Sequence, residues 1–364
     1  MKIESLPFFL QPLISGNYSV CFSEYGYQAL NLLISAKKYS SIFIISDVNT
    51  NEYCSPKLLS SIATDSRIEI IELEAGETVK NIETCIEIWN ILIDLGADRK
   101  SLIINLGGGV ISDLGGFAAS TFKRGIDFIN IPTTLLGMVD ASIGGKNGID
   151  FGNLKNQIGT ITNPQMVIID AAFLDTLPQN EMRSGLAEMM KHGLIADKQY
   201  WDKFTAIEQL DTDDLDLLIH GSVKIKNDIV MQDPTENGIR KSLNFGHTLG
   251  HAIEGYFMEN AEKETLLHGE AVAAGMILES YISMEKKLLS ADDYNHIKKN
   301  IKKIFADIIF EQIDVKAILE FLIHDKKNEY GKVNFVLLSG IGQVEIDQQV
   351  ENDMISRAFE DYKL

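Results

Sequence analysis

The stretch LNFGHTLGHAIE, residues 243–254, sets His247 and His251 four residues apart at what reads as a helix opening. An i,i+4 pair shares one helical face, so both rings can point into a single cavity, where neutral imidazoles bind metal ions. The same half of the chain holds further ligand types. SGLAEMMKHGLI offers Glu188, Lys191 and His192, and HGEAVAAG offers His268 and Glu270. A catalytic zinc takes three protein ligands and keeps one position open. Glu188, His247 and His268 would supply one carboxylate and two imidazoles from three separate segments. His192, His251, Glu254 and Glu270 compete with them, and spacing alone does not choose.

A second set of residues suits phosphate. LIINLGGGVISDLGGFAA (102–119) reads as strand, glycine turn and helix. Gly107, Gly108 and Gly109 permit a tight turn and let backbone N–H groups approach a diphosphate at a helix N-terminus. Ser112 stands where the common GxGxxG pattern has its last glycine. Asp47, at a strand end in ISDVNT, is the nearest candidate for a ribose-binding acid. IPTTLLGMVDASIGGKNGID adds Thr133, Thr134, Asp140 and Lys146, and NLKNQIGTITNP adds Lys155 and Asn156. Hydroxyls, a carboxylate and cations beside flexible backbone fit recognition of phosphate or carboxylate. A dinucleotide in a variant of the usual binding mode is expected.

These groups need elements to position them. SIFIIS (41–46), RIEIIEL (67–73), SLIINL (101–106), DFINIP (127–132) and MVIID (166–170) read as strands. Near-continuous apolar strands separated by helices indicate a parallel sheet covered on both faces. TVKNIETCIEIWNILIDLGA (78–97) has helical periodicity with Gly96 as its stop. Beyond about residue 171 the pattern is helical, apart from KVNFVLLSGIGQVEI (332–346). The fold class is therefore an α/β N-terminal Rossmann-like parallel-sheet domain, residues 1–170, followed by a mainly α-helical domain, residues 171–364.

The formal charge of −19 argues against nucleic acid, whose phosphates require a basic footprint. No run approaches the roughly 18 apolar residues of a membrane helix, and MKIESLPFFLQPLISG does not read as a signal peptide. Cys21, Cys54 and Cys85 are widely spaced and suit a reducing compartment, so a cytoplasmic location is expected. In so acidic a chain, Lys146, Lys155, Lys191, Lys226 and Arg240 each lie near a Gly, His or Asn motif, as site cations would.

Taken together, GGGVISDLGGFAAST, RGIDFINIPTTLLGMVDASIGGKNGID, SGLAEMMKHGLI, RKSLNFGHTLGHAIE and HGEAVAAGM resemble the 3-dehydroquinate synthase family. The resemblance runs from about residue 40 to DKKN and GKVNFVLLSGIG near the C-terminus. It implies a homodimeric, NAD-dependent enzyme using zinc or cobalt, which converts an anionic sugar phosphate, 3-deoxy-arabino-heptulosonate 7-phosphate, into 3-dehydroquinate and phosphate. By the same resemblance, the first domain binds NAD and the second binds metal and substrate. The metal ligands would be Glu188, His247 and His268, with His251 facing the substrate phosphate. Asp47, Glu77, Lys80, Gly108, Gly109, Val110, Asp113, Thr133, Thr134, Asp140 and the run Phe173, Leu174, Asp175, Thr176 would hold NAD. Lys146, Lys155 and Asn156 would lie where cofactor and substrate meet. Lys191, Lys226, Arg240 and Asn244 would surround the substrate, Arg124 would reach the neighbouring subunit's substrate phosphate, and Lys326 or Lys327 would close over the site. Ala141, Ile161 and His192 depart from the family pattern, His192 by adding an imidazole beside Lys191.

Overall fold

The computed structural model describes residues 11–152, 154–206, 212–324 and 333–363. Its strands are β1 (Leu13–Ser15), β2 (Tyr18–Phe22), β3 (Ser41–Asp47), β4 (Arg67–Leu73), β5 (Leu102–Gly107), β6 (Asp127–Pro132), β7 (Lys146–Phe151), β8 (Leu154–Ile161), β9 (Met166–Ile169), β10 (Asn334–Gly340) and β11 (Gln343–Gln349). The helices are α1 (Ser23–Lys37), α2 (Val48–Tyr53), α3 (Ser55–Ser61), α4 (Ile82–Asp94), α5 (Gly109–Thr121), α6 (Gln179–Ala196), α7 (Lys198–Ala206), α8 (Thr212–Gln232), α9 (His247–Glu259), α10 (His268–Glu285), α11 (Ala291–Lys302), α12 (Gln312–His324) and α13 (Asn352–Tyr362).

The chain divides into two compact units. One runs up to Pro178 and also takes Leu215–Asn227; the other holds Gln179–Asp214 and the chain from Asp228 onward. The division falls at Pro178 rather than near 170 because a 3₁₀ turn, Ala171–Thr176, stays with the sheet. Asp170 caps that turn by accepting from the backbone N–H of Ala172, and Phe173 and Leu174 are buried. The return of Leu215–Asn227 was not legible in the sequence. It is marked by His220 against the Phe22 ring, 5.0 Å between centroids, and by Asn227 donating to the carbonyl of Ile14.

The first unit is built on a seven-stranded sheet in the order β1-β2-β9-β6-β5-β3-β4. All pairs are parallel except β1 with β2, which are antiparallel. The central strands are apolar along their length because both faces are covered; Ile42, Phe43, Ile44 and Ile45 have no exposed surface. Helices α4 and α5 supply Cys85, Ile88, Leu92, Leu114 and Ala118 to a core shared with Phe43, Ile45 and Ile103. Asn81 begins α4 by accepting from the Thr84 N–H, and Gly96 ends it in a left-handed conformation at φ 74°.

Strand order reverses between β3 and β5, because β4 lies to one side of β3 and β5, β6 and β9 to the other. A crevice at the carboxyl ends of the strands, at such a reversal, is where open α/β sheets bind ligands. Asp47 ends β3 there and Gly107 ends β5. The polar run 146–161 forms an antiparallel hairpin, β7 with β8. Its strands show no period-2 burial, β8 being exposed along most of its length, so the usual strand pattern was missing there.

In the second unit, α6 and α7 precede a short 3₁₀ segment, Ile239–Asn244, then helices α9 to α13 and the hairpin β10–β11. Helix α10 is buried nearly all round, from Gly269 to Ser283.

Candidate active site

In the second unit, Glu188 lies on α6, His247 opens α9 and His268 opens α10. Glu188 has no exposed surface. Its Oε2 pairs with the buried Lys191 Nζ one helical turn away. Its Oε1 lies 3.4 Å from His247 Nε2 and 3.8 Å from His268 Nε2. His251, one turn beyond His247, completes a ring cluster with centroids 5.2 Å from His247 and 5.7 Å from His268. Ligand nitrogens of His247, His251 and His268 all lie within 4.8 Å of one another.

The outer nitrogens fix the tautomers. His247 Nδ1 is 3.1 Å from the carbonyl oxygen of Phe245. A carbonyl only accepts, so Nδ1 carries the proton and Nε2 presents its lone pair inward. His268 Nδ1 is 3.2 Å from Glu254 Oε2, with the same consequence. Two of the rival acids thus have other work. Glu254 orients His268, and Glu270 accepts from the N–H of Leu267 to cap α10. His192 is fully buried on α6. A carboxylate and imidazole lone pairs gathered around one point are the donor set of a divalent metal such as zinc.

Arg240 and Asn244 lie on the 3₁₀ segment just before α9. Arg240 is buried and donates from Nη1 to the carbonyl of Pro234, and Asn244 donates to Glu236 Oε1 at 2.8 Å. The loop between α8 and this segment is organised by Asp233, a residue that sequence reasoning missed. Its carboxylate accepts from the backbone N–H groups of Asn237, Gly238 and Arg240. Desolvation, the largest single influence, opposes these bonds, but together they hold the carboxyl below its ordinary range. The Asp-Pro pair at 233–234 was the available signal.

In the first unit, α5 starts at Gly109 with no side-chain cap and no acid in its first turn. Its N-terminal N–H groups therefore suit an anion. Thr133 donates its backbone N–H to the carbonyl of Gly107, and Thr134 Oγ1 accepts from Gly137. A Cβ on Gly108 would come within 2.9 Å of Thr134, so the backbone there tolerates little bulk. The glycine that allows close helix–strand packing is Gly115, not position 112. A Cβ on Gly115 would overlap Asn105 of β5 at 1.9 Å. Asp47 is engaged locally, because Oδ1 accepts from the Asn49 and Thr50 N–H groups at the start of α2. Val110 follows in the same turn, and Asp175 and Thr176 are exposed beside the buried Phe173 and Leu174.

Lys80 is buried, and its ammonium donates to Asp113 Oδ2 and Asn156 Oδ1, both at 2.7 Å, with Glu77 at 3.8 Å. Burial disfavours the ammonium, but Asp113 and Glu77 outweigh it, so Lys80 titrates above the ordinary lysine range. The structure thus joins four residues that the sequence lists separately, and makes them partners of one another. Lys226 likewise donates to the carbonyl and, at 2.7 Å, to Oδ1 of Asp140. Lys146 opens β7, Lys155 and Asn156 lie on β8, and Asn156 is left-handed at φ 54°. Arg124 is exposed and left-handed at φ 72°, between Lys123 and Gly125, which are also at positive φ. Lys326 and Lys327 lie outside the described residues. The cysteines are all buried; desolvation pushes Cys54 up to about 11 and Cys85 up to about 12, which favours the protonated thiols at neutral pH.

A parallel-sheet unit with an uncapped helix start after a glycine turn, and a helical unit with a His/Glu cluster, make up an architecture shared with solved sugar-phosphate cyclases. Two solved structures share it. One is a 2-deoxy-scyllo-inosose synthase complexed with carbaglucose-6-phosphate, NAD+ and Co2+, with TM-score 0.82 and 24% identity, covering 96% of this chain and 99% of that one. The other is 2-epi-5-epi-valiolone synthase from Streptomyces hygroscopicus with NAD+ and Zn2+ bound, with TM-score 0.83 and 26% identity, covering 96% and 98%. More particularly, this chain belongs to the 3-dehydroquinate synthase family. Residues 70–184 match the family's N-terminal model and residues 185–328 its C-terminal model. The 3-dehydroquinate synthase of Parabacteroides distasonis is 42% identical over 332 residues, 91% of this chain and 93% of that protein. That of Alkaliphilus oremlandii is 38% identical over 329 residues, 89% and 88%.

Proposed function

We propose that this chain converts 3-deoxy-D-arabino-heptulosonate 7-phosphate into 3-dehydroquinate and phosphate, using NAD and a divalent ion, Zn2+ or Co2+. The observation that carries the reading is the convergence of Glu188, His247 and His268 in a chain whose relatives at about 40% identity are 3-dehydroquinate synthases. The reaction oxidises a ring alcohol, eliminates phosphate, reduces the same carbon, opens the ring and closes it by an intramolecular aldol step. A bound metal ion supplies Lewis acidity at the alcohol, and a bound nicotinamide supplies the hydride acceptor and donor.

The chain's own residues then have distinct tasks. Glu188, His247 and His268 hold the ion, with Phe245 and Glu254 fixing the two imidazoles from behind. The open first turn of α5, with Gly108, Gly109 and Val110, receives the diphosphate. Asp47, Glu77, Lys80, Asp113, Thr133, Thr134, Asp140, Lys155 and Phe173 to Thr176 complete the cofactor's surroundings. Lys191 balances the Glu188 charge and extends to the substrate. Arg240 suits the substrate carboxylate because a guanidinium fork binds a planar anion in bidentate fashion. Lys146, Asn156 and His251 serve the phosphate, Lys226 and Asn244 line the sugar, and Arg124 serves the neighbouring subunit. The ketone formed by oxidation acidifies the adjacent C–H, and the departing phosphate can itself accept that proton. The enzyme acts as a homodimer in the cytoplasm, and buried reduced cysteines support that compartment.

One assay tests the reading. The purified protein with NAD, Zn2+ or Co2+ and the heptulosonate phosphate should release phosphate and form dehydroquinate without accumulating NADH, because the hydride returns within each turnover. Accumulating NADH would identify a dehydrogenase instead. Turnover of a carboxylate-free sugar phosphate in preference would transfer the chain to another cyclase specificity.

A further inference from the structure

Helix α9 opens at Gly246, whose missing side chain provides no N-cap, and Gly246 is left-handed at φ 77°. The first-turn N–H groups of a helix must be satisfied somewhere. Here the cap comes from another helix. Glu279 on α10 has no exposed surface, and its Oε2 accepts from the Gly246 N–H at 2.6 Å and its Oε1 from the Leu249 N–H at 3.1 Å. These two donors bracket His247. The approach depends on small residues: a Cβ on Gly275 would overlap the Gly246 carbonyl at 2.0 Å, and one on Gly250 would meet Val272 at 3.1 Å. The helices run antiparallel, with Glu279 meeting the start of α9 while His268, at the start of α10, meets Glu254 farther along it.

We propose that Glu279 is a positioning residue for the metal site, fixing the first turn of α9 against α10 so that His247 and His268 face Glu188 at one point. A carboxylate is well suited to this, since one acid spans two backbone donors and complements the positive end of the helix. The proposal rests on Glu188, His247 and His268 being the ligands, and its test separates the two ideas.

The full-length apoprotein is titrated with Co2+, following its visible absorption, for the natural chain and for Glu279→Gln, Glu279→Asp, Asp314→Asn and His247→Ala. Asp314 accepts from Tyr256 and Lys263 at the other end of α9 and serves as the stability control. Unfolding midpoints of the apoproteins are measured alongside. The expected result is a roughly 10–100-fold weaker Co2+ affinity and an altered band for Glu279→Gln, a smaller loss for Glu279→Asp, and an unchanged affinity and band for Asp314→Asn despite a lower midpoint. Unchanged Co2+ affinity and band in folded Glu279→Gln would overturn the proposal, leaving Glu279 as a helix clamp alone. The same holds if neither Glu279 variant folds. Failure of His247→Ala to weaken Co2+ binding would instead remove the ligand assignment, and the positioning role with it.

Discussion

Glu188 meets a lysine ammonium with one oxygen and two imidazoles with the other, all without exposed surface of its own. Replacing it with Gln keeps the shape but loses the anion that a divalent ion requires. Glu188→Gln, His247→Ala and His268→Ala should each lose bound metal and metal-dependent turnover, whereas His192→Ala should retain metal; elemental analysis of the four purified variants decides it. Metal loss confined to His192→Ala would reverse the assignment. Glu254 acts through His268, so Glu254→Gln should weaken metal affinity about 10–100-fold while leaving the ligands in place. Competition with a metal-sensitive chelator measures that loss. These residues were legible by type, since the HxxxH, EMMKH and HGE spacings announce ligands. Which of seven candidates faced which was not, because the partners come from three helices.

At the scale of elements, two close contacts govern how α5 and its surroundings are held. Gly115→Ala would push a methyl into Asn105 on β5 and should cost about 1–3 kcal/mol in urea unfolding. Lys80→Met would leave Asp113 without its buried partner and should cost about 3–5 kcal/mol. His220 on α8 gives a pH dependence. Burial lowers its pKa below the ordinary 6.5, with a bond to the Gln11 backbone working the other way. Between that lowered value and 6.5 the unfolded chain binds more protons than the folded one, so stability falls as pH drops through this window. His220→Phe should flatten that slope in unfolding curves recorded from pH 7 to pH 5. The apolar runs announced β3 to β6 and β9, each within one residue at either end. The hairpin β7–β8 escaped, because neither strand alternates buried with exposed residues: β7 buries three in a row and β8 is exposed along most of its length.

For the whole molecule, the residues proposed to hold NAD and the His/Glu cluster fall in different compact units. Gly108→Val should therefore abolish NAD binding, read by fluorescence quenching or calorimetry, while leaving Co2+ affinity within a few fold. His268→Ala should do the opposite. Loss of both ligands in either variant would mean that the sites are coupled through folding. Among the described residues no helix is long and apolar enough to cross a membrane.

The sequence by itself determined the fold class, the glycine turn after β5, the pool of metal-ligand types and, through its motifs, the family. These are properties of short segments, where spacing along the chain dictates which side chains share a face or a turn. Only the tertiary structure decided that Glu254 backs His268 and Glu270 caps α10. It also decided that Lys80, Asp113 and Asn156 are one another's partners, that Leu215–Asn227 returns to the first unit, and that Glu279 caps a helix not its own. Each is a contact between segments distant in sequence, and no local periodicity records which distant carboxylate will meet which donor once the helices pack.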